Sequence, residues 1–149
     1  MKLLKASLFF IAVFIAACGS DSDSDPAPGP ANPNPYPTIT IDGSSGISNI
    51  NETGIYNLVI LGNINTVDIA NDNSIEELYT ECSICTISIG DNVFINKVLL
   101  NSSSDDVFIG LNFDSNEFIV TGSNINIYVP TGYTFTIIDN GSNTDIIEY

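Results

Sequence analysis

The chain has 149 residues, 44% of them hydrophobic, and a formal net charge of −15, with three Lys or Arg residues and no His. Binding to a polyanion needs basic side chains that neutralise phosphates, so this charge excludes a nucleic-acid partner. The hydrophobic fraction is too high for an acidic disordered chain, and the length suits one folded domain behind an N-terminal segment.

Residues 1–17 are predicted to form a secretory signal peptide. Lys2 and Lys5 supply the basic start, and residues 8–17 form an apolar run that ends in small residues. A membrane-spanning helix needs about 20 apolar residues, so this run is too short to span comfortably. The N-terminus therefore predicts an exported protein.

The end of this segment, Ile15-Ala16-Ala17-Cys18, resembles the lipobox of bacterial lipoproteins. In that family the peptide is cleaved before a cysteine that has received a diacylglycerol. The resemblance implies that Cys18 carries the lipid, that the membrane is a partner through it, and that the protein is anchored to the outer membrane, either periplasmic or surface-exposed. Several acyl chains on one residue give stable anchoring. An ordinary signal peptide with a coincidental cysteine is the alternative.

Residues 18–37 are predicted to be a lipidated cysteine followed by a disordered tether. Ser alternates with Asp at its start, and the second half has six prolines in twelve positions. Acidic repeats stay solvated and Pro-rich segments favour extended polyproline II, which makes a semi-rigid spacer. The acidic run also resembles the surface-export signals of some Gram-negative lipoproteins.

Residues 38–149 are predicted to form the folded domain, with short β-prone runs between turn residues and no helical period. Within it, residues 58–137 repeat at a fixed step of 20, and the repeat weakens towards both ends. The apolar columns are Leu58, Leu78, Val98, Phe118 and Ile138; Ile60, Thr80, Leu100 and Val120; Val67, Ile87, Val107 and Ile127; and Ile69, Ile89, Ile109 and Val129. Ile47, Ile147 and Tyr149 are assigned to the second-strand columns at the two ends. Such spacing predicts an all-β domain, a short parallel β-solenoid of about five to six coils. An antiparallel β-sandwich is the alternative.

The turns repeat at the same step. Asp72, Asn92, Asn112 and Gly132 recur two places after Ala70, Gly90, Gly110 and Pro130. These residue types tolerate left-handed conformation or fix a turn, which supports one coil per repeat. The pattern resembles the Gly-, Asn- and Ile-rich coils of small bacterial β-helix proteins, many of them exported, and that resemblance implies a fold without naming a function.

Cys82 and Cys85 remain once Cys18 is lipidated, and they are predicted to form a small disulfide at a corner of one coil. A redox pair usually needs a helix N-terminus to lower the thiol pKa, and none is visible. Zinc would need two more ligands, and the sequence has no His and no further Cys. No metal and no other cofactor are therefore expected.

Carboxylates are plentiful, and their alternative roles are glycan hydrolysis by an Asp or Glu pair and Ca²⁺ binding in an adhesin. Adjacent residues such as Asp105 and Asp106 point to opposite faces of a strand, and no EF-hand spacing occurs. Long insertions that build a catalytic cleft are also missing. The sequence predicts no catalytic residues and no enzyme.

One column is predicted to face outwards and to remain apolar: Ile39, Val59, Tyr79, Leu99 and Ile119. An exposed apolar strip usually marks a contact surface, here for a protein, a glycan or a second copy. The alternatives are that the assumed parity is wrong or that the tether covers the strip. The function predicted from sequence is thus a membrane-anchored exported lipoprotein that presents a non-enzymatic solenoid as a binding or structural module.

Overall fold

The structure, a computed structural model, describes residues 35–149, apart from the side chains of Ser44 and Ser45. The predicted signal peptide, Cys18 and nearly all of the tether lie outside the described residues. The part described contains the strands β1 (Thr38–Ile50), β2 (Ile55–Ile69), β3 (Ser74–Ser83), β4 (Thr86–Ile89), β5 (Phe94–Leu100), β6 (Asp106–Ile109), β7 (Asp114–Val120), β8 (Ser123–Val129), β9 (Ile137–Asp139) and β10 (Ser142–Glu148). Among these residues there is no helix with the length and apolarity needed to cross a membrane.

All the strand pairs are parallel, and their order is β10-β8-β6-β4-β2-β3-β5-β7-β9 with β1 beside β2. Strand β2 is long enough to start both halves of the sheet, so β3, β5, β7 and β9 stack on one side and β4, β6, β8 and β10 on the other. The predicted parallel β-solenoid is confirmed, with about five turns. The sandwich alternative is wrong, because its sheets would be antiparallel.

The core consists of the predicted inner columns. Val67, Ile87, Val107 and Ile127 lie opposite one another in successive coils and are fully buried. Thr80 is the polar member of its column, and its hydroxyl accepts a hydrogen bond from Ser102 Oγ at 2.7 Å. Since side chains alternate between the two faces of a strand, a strict 20-residue step keeps each column on one face.

The step changes to 19 residues at both ends, and the predicted end positions are wrong there. Ile137, not Ile138, lies opposite Phe118. Ser48 takes the place assigned to Ile47, and Ile146 the place assigned to Ile147. A shift of one residue moves a side chain to the other face of the sheet, and Ile47 is accordingly 76% exposed. The terminal coils therefore follow the same fold with a different register.

The predicted turn column is confirmed. Asp72, Asn92 and Asn112 have φ values of 60°, 56° and 55°. Asn92 Nδ2 donates to Asp72 Oδ1 and Asn112 Nδ2 donates to Asn92 Oδ1, each at 3.0 Å. This amide ladder joins three coils at positions where the left-handed backbone favours Asn and Asp.

A second column of residues with left-handed backbone conformation lies at the corner after the first strand of successive coils. It consists of Ile64, Ile84, Ser104, Asn124 and Asn143, with φ between 55° and 64°. Ile64 and Ile84 are 58% and 60% exposed. A β-branched residue with positive φ is strained, and burial of these side chains does not offset that strain.

We expect Ile84→Asn to raise the free energy of unfolding by about 1 kcal/mol, because Asn tolerates the left-handed conformation better and little apolar burial is lost. Urea denaturation at neutral pH would measure the change. Asn124→Ile, at the same position two coils later, is the matched reverse variant and should destabilise by a similar amount. Equal stability of wild type and Ile84→Asn would contradict the assigned strain.

Aromatic side chains fill the C-terminal end of the coil stack. The Phe118 ring lies 5.6 Å from Phe135 and 6.3 Å from Phe113, measured between centroids. Phe113 meets Phe135 edge-on at 4.9 Å, and Tyr133 lies 5.1 Å from Phe135. Edge-to-face and offset pairs of this kind add to the burial of the rings themselves.

Candidate functional site

The outer face of the first sheet carries an apolar line, which we call the outer stripe: Val59, Tyr79, Leu99, Ile119 and Ile138. Consecutive members are partners in the parallel register. The first four are partly exposed, and Ile138 is 45% exposed. Neighbouring strands in a sheet are about 4.8 Å apart, so the stripe spans about 19 Å along the stack.

The sequence assigns Ile39 to this stripe, and that prediction is wrong. It lies opposite Leu58 and packs against the core, and Thr40 is the residue opposite Val59. The reason is again the 19-residue step of the first coil, which exchanges the inner and outer faces relative to a 20-residue count. The stripe therefore begins one coil later and ends one coil later than the sequence indicated.

Polar side chains flank the stripe on both sides. On one side Lys97 Nζ lies 3.2 Å from Glu77 Oε1 in a partly exposed ion pair, which is worth little in energy. On the other side the Tyr79 hydroxyl donates to Glu81 Oε2 at 2.8 Å. Thr121 Oγ1 donates to Asn101 Oδ1 at 3.0 Å in the same row. These contacts hold the rim side chains in place beside the apolar line.

Beyond this second rim, an open groove of about 670 Å³ follows the corner of the stacked coils. Its lining consists of small and polar residues: Gly62, Asn63, Glu81, Cys82, Ser83, Asn101, Ser102, Ser103, Thr121, Gly122, Ser123, Asn140, Gly141 and Ser142. Ser83, Ser103 and Ser123 bridge successive coils through their backbones. The groove and the outer stripe share the rim that contains Glu81, Asn101 and Thr121.

Cys82 and Cys85 form a disulfide at the corner of the third coil. Asp105, in the next coil, is 1% exposed and lies against them. Its Oδ1 accepts the Cys85 N–H at 2.8 Å, and its Oδ2 lies 3.5 Å from Cys82 Sγ. Ser102 Oγ accepts the Cys82 N–H at 3.2 Å. The corner is thus a cluster of buried polar groups beside the apolar core.

Burial raises the pKa of Asp105 from 3.8 to about 6, against the opposing effect of the hydrogen bonds from Cys85 N–H and Ser102. The nearby charge of Asp106 also raises this pKa. A carboxyl group removed from water resists ionisation, because its charged form loses hydration. Asp105 is therefore partly protonated in weakly acidic solution.

We expect the disulfide-bonded protein to lose stability as the pH rises from about 4 to about 6. The folded chain holds the Asp105 proton more tightly than the unfolded chain, so the stabilisation is complete below the unfolded pKa and disappears as pH passes the folded pKa of about 6. The contribution is on the order of 3 kcal/mol. Urea denaturation at several pH values would measure it. Asp105→Asn should lack this component, whereas identical pH profiles for the two proteins would contradict it.

The paired carboxylates considered for glycan hydrolysis do not converge on one cleft. Asp105 points into the corner, whereas Asp106 lies on the outer face and accepts a hydrogen bond from Asn126 Nδ2 at 2.8 Å. Asp72, a carboxylate of the turn column, accepts a hydrogen bond from Asn92 in the amide ladder. For Asp106 and for Asp72, a side-chain amide of the next coil therefore donates a hydrogen bond to one carboxylate oxygen.

Sequence reasoning did not connect Asp105 with the two cysteines. The repeat contained the necessary information, because Asp105 occupies the position of Cys85 one 20-residue step later. Since stacked coils bring residues at the same phase within about 5 Å, each chemical group should be compared with its neighbours one step away.

Comparison of the chain with known proteins finds no match to a family model, a curated protein or a solved structure.

Proposed function

We propose that this chain is an exported lipoprotein, anchored through a lipid on Cys18, that presents the solenoid as a non-enzymatic binding module. The N-terminal pattern supports the anchor, because the lipobox resemblance and the basic, apolar and small residues before Cys18 occur together. The Ser-, Asp- and Pro-rich segment after it supports a spacer between membrane and domain.

The observation that carries the binding proposal is the outer stripe. The inner columns account for the core, but a partly exposed line of Val59, Tyr79, Leu99, Ile119 and Ile138 does not contribute to that core. Apolar patches with a polar rim commonly mark contact surfaces on soluble domains. The stripe crosses rigid, hydrogen-bonded strands, so it would meet a partner without an ordering cost.

The test of binding compares wild type with the double variant Leu99→Ser, Ile119→Ser. Purified full-length protein would be applied to arrays of envelope glycans and envelope proteins, and its own association would be measured by sedimentation. We expect an interaction that weakens at least tenfold in the double variant. Ile147→Ser, an exposed change on the outer face of the second sheet, is the matched control and should leave binding unchanged. No interaction in any format would overturn the proposal.

The anchor is tested separately. In cells given an alkyne-labelled fatty acid, the wild-type chain should acquire the label and fractionate with the outer membrane. Cys18→Ser should lose both properties. Labelling that persists in Cys18→Ser would show that the lipid is elsewhere or absent from this position.

A further inference from the structure

The buried corner contains three side chains that are all metal ligands in proteins. One Sγ each from Cys82 and Cys85 and one carboxylate oxygen from Asp105 lie within 4.8 Å of one another, and all three residues are buried. They come from two coils and converge because Asp105 lies one step after Cys85. Thiolates and a carboxylate form a donor set suited to Zn²⁺ and similar cations.

The electrostatics of the corner favour a cation. Within residues 35–149 the sole basic side chain is Lys97, and it pairs with Glu77. Asp105 therefore has no cationic partner among the described residues, although it is 1% exposed. Buried charges are normally paired with an opposite charge or coordinate a metal. The Cys85 N–H donates to this carboxylate and offsets only part of the cost of burying it.

Two sulfur–oxygen distances in the disulfide-bonded corner already match those of a tetrahedral centre. With Zn–S of about 2.3 Å and Zn–O of about 2.0 Å, a tetrahedral site places sulfur and oxygen about 3.5 Å apart. Cys82 Sγ lies 3.5 Å from Asp105 Oδ2 and 3.5 Å from Ser102 Oγ. The Ser102 hydroxyl is thus placed near the fourth position, and the groove lined by Cys82 and Ser102 offers a path for the ion.

We propose that reduction of the Cys82–Cys85 disulfide converts this corner into a binding site for one Zn²⁺-like cation, held by both thiolates and the Asp105 carboxylate. A dithiol reductant supplies two electrons and two protons to the disulfide and becomes a disulfide itself. The cation then displaces the two thiol protons into solvent as the two sulfur–metal bonds form. The corner would hold either a disulfide or a metal, which makes occupancy dependent on redox conditions.

The test uses the full chain with Cys18→Ser, so that Cys82 and Cys85 are the only thiols. The protein is reduced, separated from the reductant, and titrated with Co²⁺ as a spectroscopic probe and with Zn²⁺ against a chromophoric chelator. We expect one equivalent to bind, with the thiolate-to-cobalt and tetrahedral absorption bands. Asp105→Asn should weaken Zn²⁺ binding by at least about tenfold, because losing a group that only hydrogen-bonds to a metal ligand already has an effect of that size. Asp106→Asn is the matched control and should bind as wild type does.

The acidic surface could bind divalent ions weakly, so two further measurements separate that effect. The double variant Cys82→Ser, Cys85→Ser and the oxidised wild-type chain should both lack the thiolate-to-cobalt bands. Excess Mg²⁺ should not displace Zn²⁺ from the reduced chain. Circular dichroism confirms that each variant is folded. Absence of the thiolate bands in the folded, reduced chain would overturn the proposal, as would equal Zn²⁺ affinity in folded Asp105→Asn and wild type.

Discussion

Phe118→Ala should lower the free energy of unfolding by about 3 to 5 kcal/mol. Phe118 is fully buried and lies between Val98 and Ile137 in its column. It also contacts the rings of Phe113 and Phe135, so its removal leaves a cavity in the cluster that fills the C-terminal end. The rigid strands around it cannot collapse easily, because their backbones are hydrogen-bonded on both sides.

Urea denaturation of the full chain, followed by circular dichroism, measures this loss. Phe94→Ala is the matched control, because Phe94 is 38% exposed and lies near the start of a coil. We expect the control to change stability by less than about 1 kcal/mol. A loss below about 1 kcal/mol for Phe118→Ala would mean that the aromatic cluster does not support the C-terminal coils.

Gly122→Ala should destabilise the stack by about 1 to 3 kcal/mol or more. A Cβ atom at Gly122 would collide with the Ser102 carbonyl oxygen of the preceding coil and would also lie 2.8 Å from the Ser102 nitrogen. Both atoms belong to the backbone, so no side chain can rotate away. The two coils would have to separate at this corner, and that weakens the ladder between Ser102 and Ser123.

Gly43→Ala provides a close comparison for this variant. Gly43 and Gly62 are partners in the register, and Gly62, Cys82, Ser102 and Gly122 continue the same column. A Cβ at Gly43 has nothing within 4 Å, because Gly43 lies in the first coil. Its stability should remain within about 1 kcal/mol of wild type. Thermal unfolding of both variants would decide the matter, and equal melting temperatures would contradict the close approach at Gly122.

The proposed metal corner and the proposed contact face are connected through the groove. Cys82 and Ser102 line the groove, whose rim residues Glu81 and Asn101 also border the outer stripe. The Tyr79 hydroxyl contacts Glu81, which directly precedes Cys82 in the chain. A change between disulfide and metal at the corner would therefore act on side chains that flank the stripe, and binding should be measured in both redox states.

The sequence by itself determined the fold of the central coils. Val67, Ile87, Val107 and Ile127 repeat without insertion, so a parallel stack is the arrangement that buries all four on one side. The turn residues Asp72, Asn92 and Asn112 were also predictable, because few residue types accept positive φ. The types of the turn residues and the 20-residue spacing of the apolar residues can both be read directly from the sequence.

The tertiary structure alone decided the register of the terminal coils and the composition of the corner. Ile39 and Ile138 exchanged faces because each terminal coil is one residue shorter, and a one-residue change reverses the side-chain direction of a strand. Apolar residues occur on both sides of that change, so hydrophobicity alone cannot reveal it. The approach of Asp105 to Cys82 and Cys85 likewise depends on the pairing of two coils, since the carboxylate is 20 residues from the nearer cysteine.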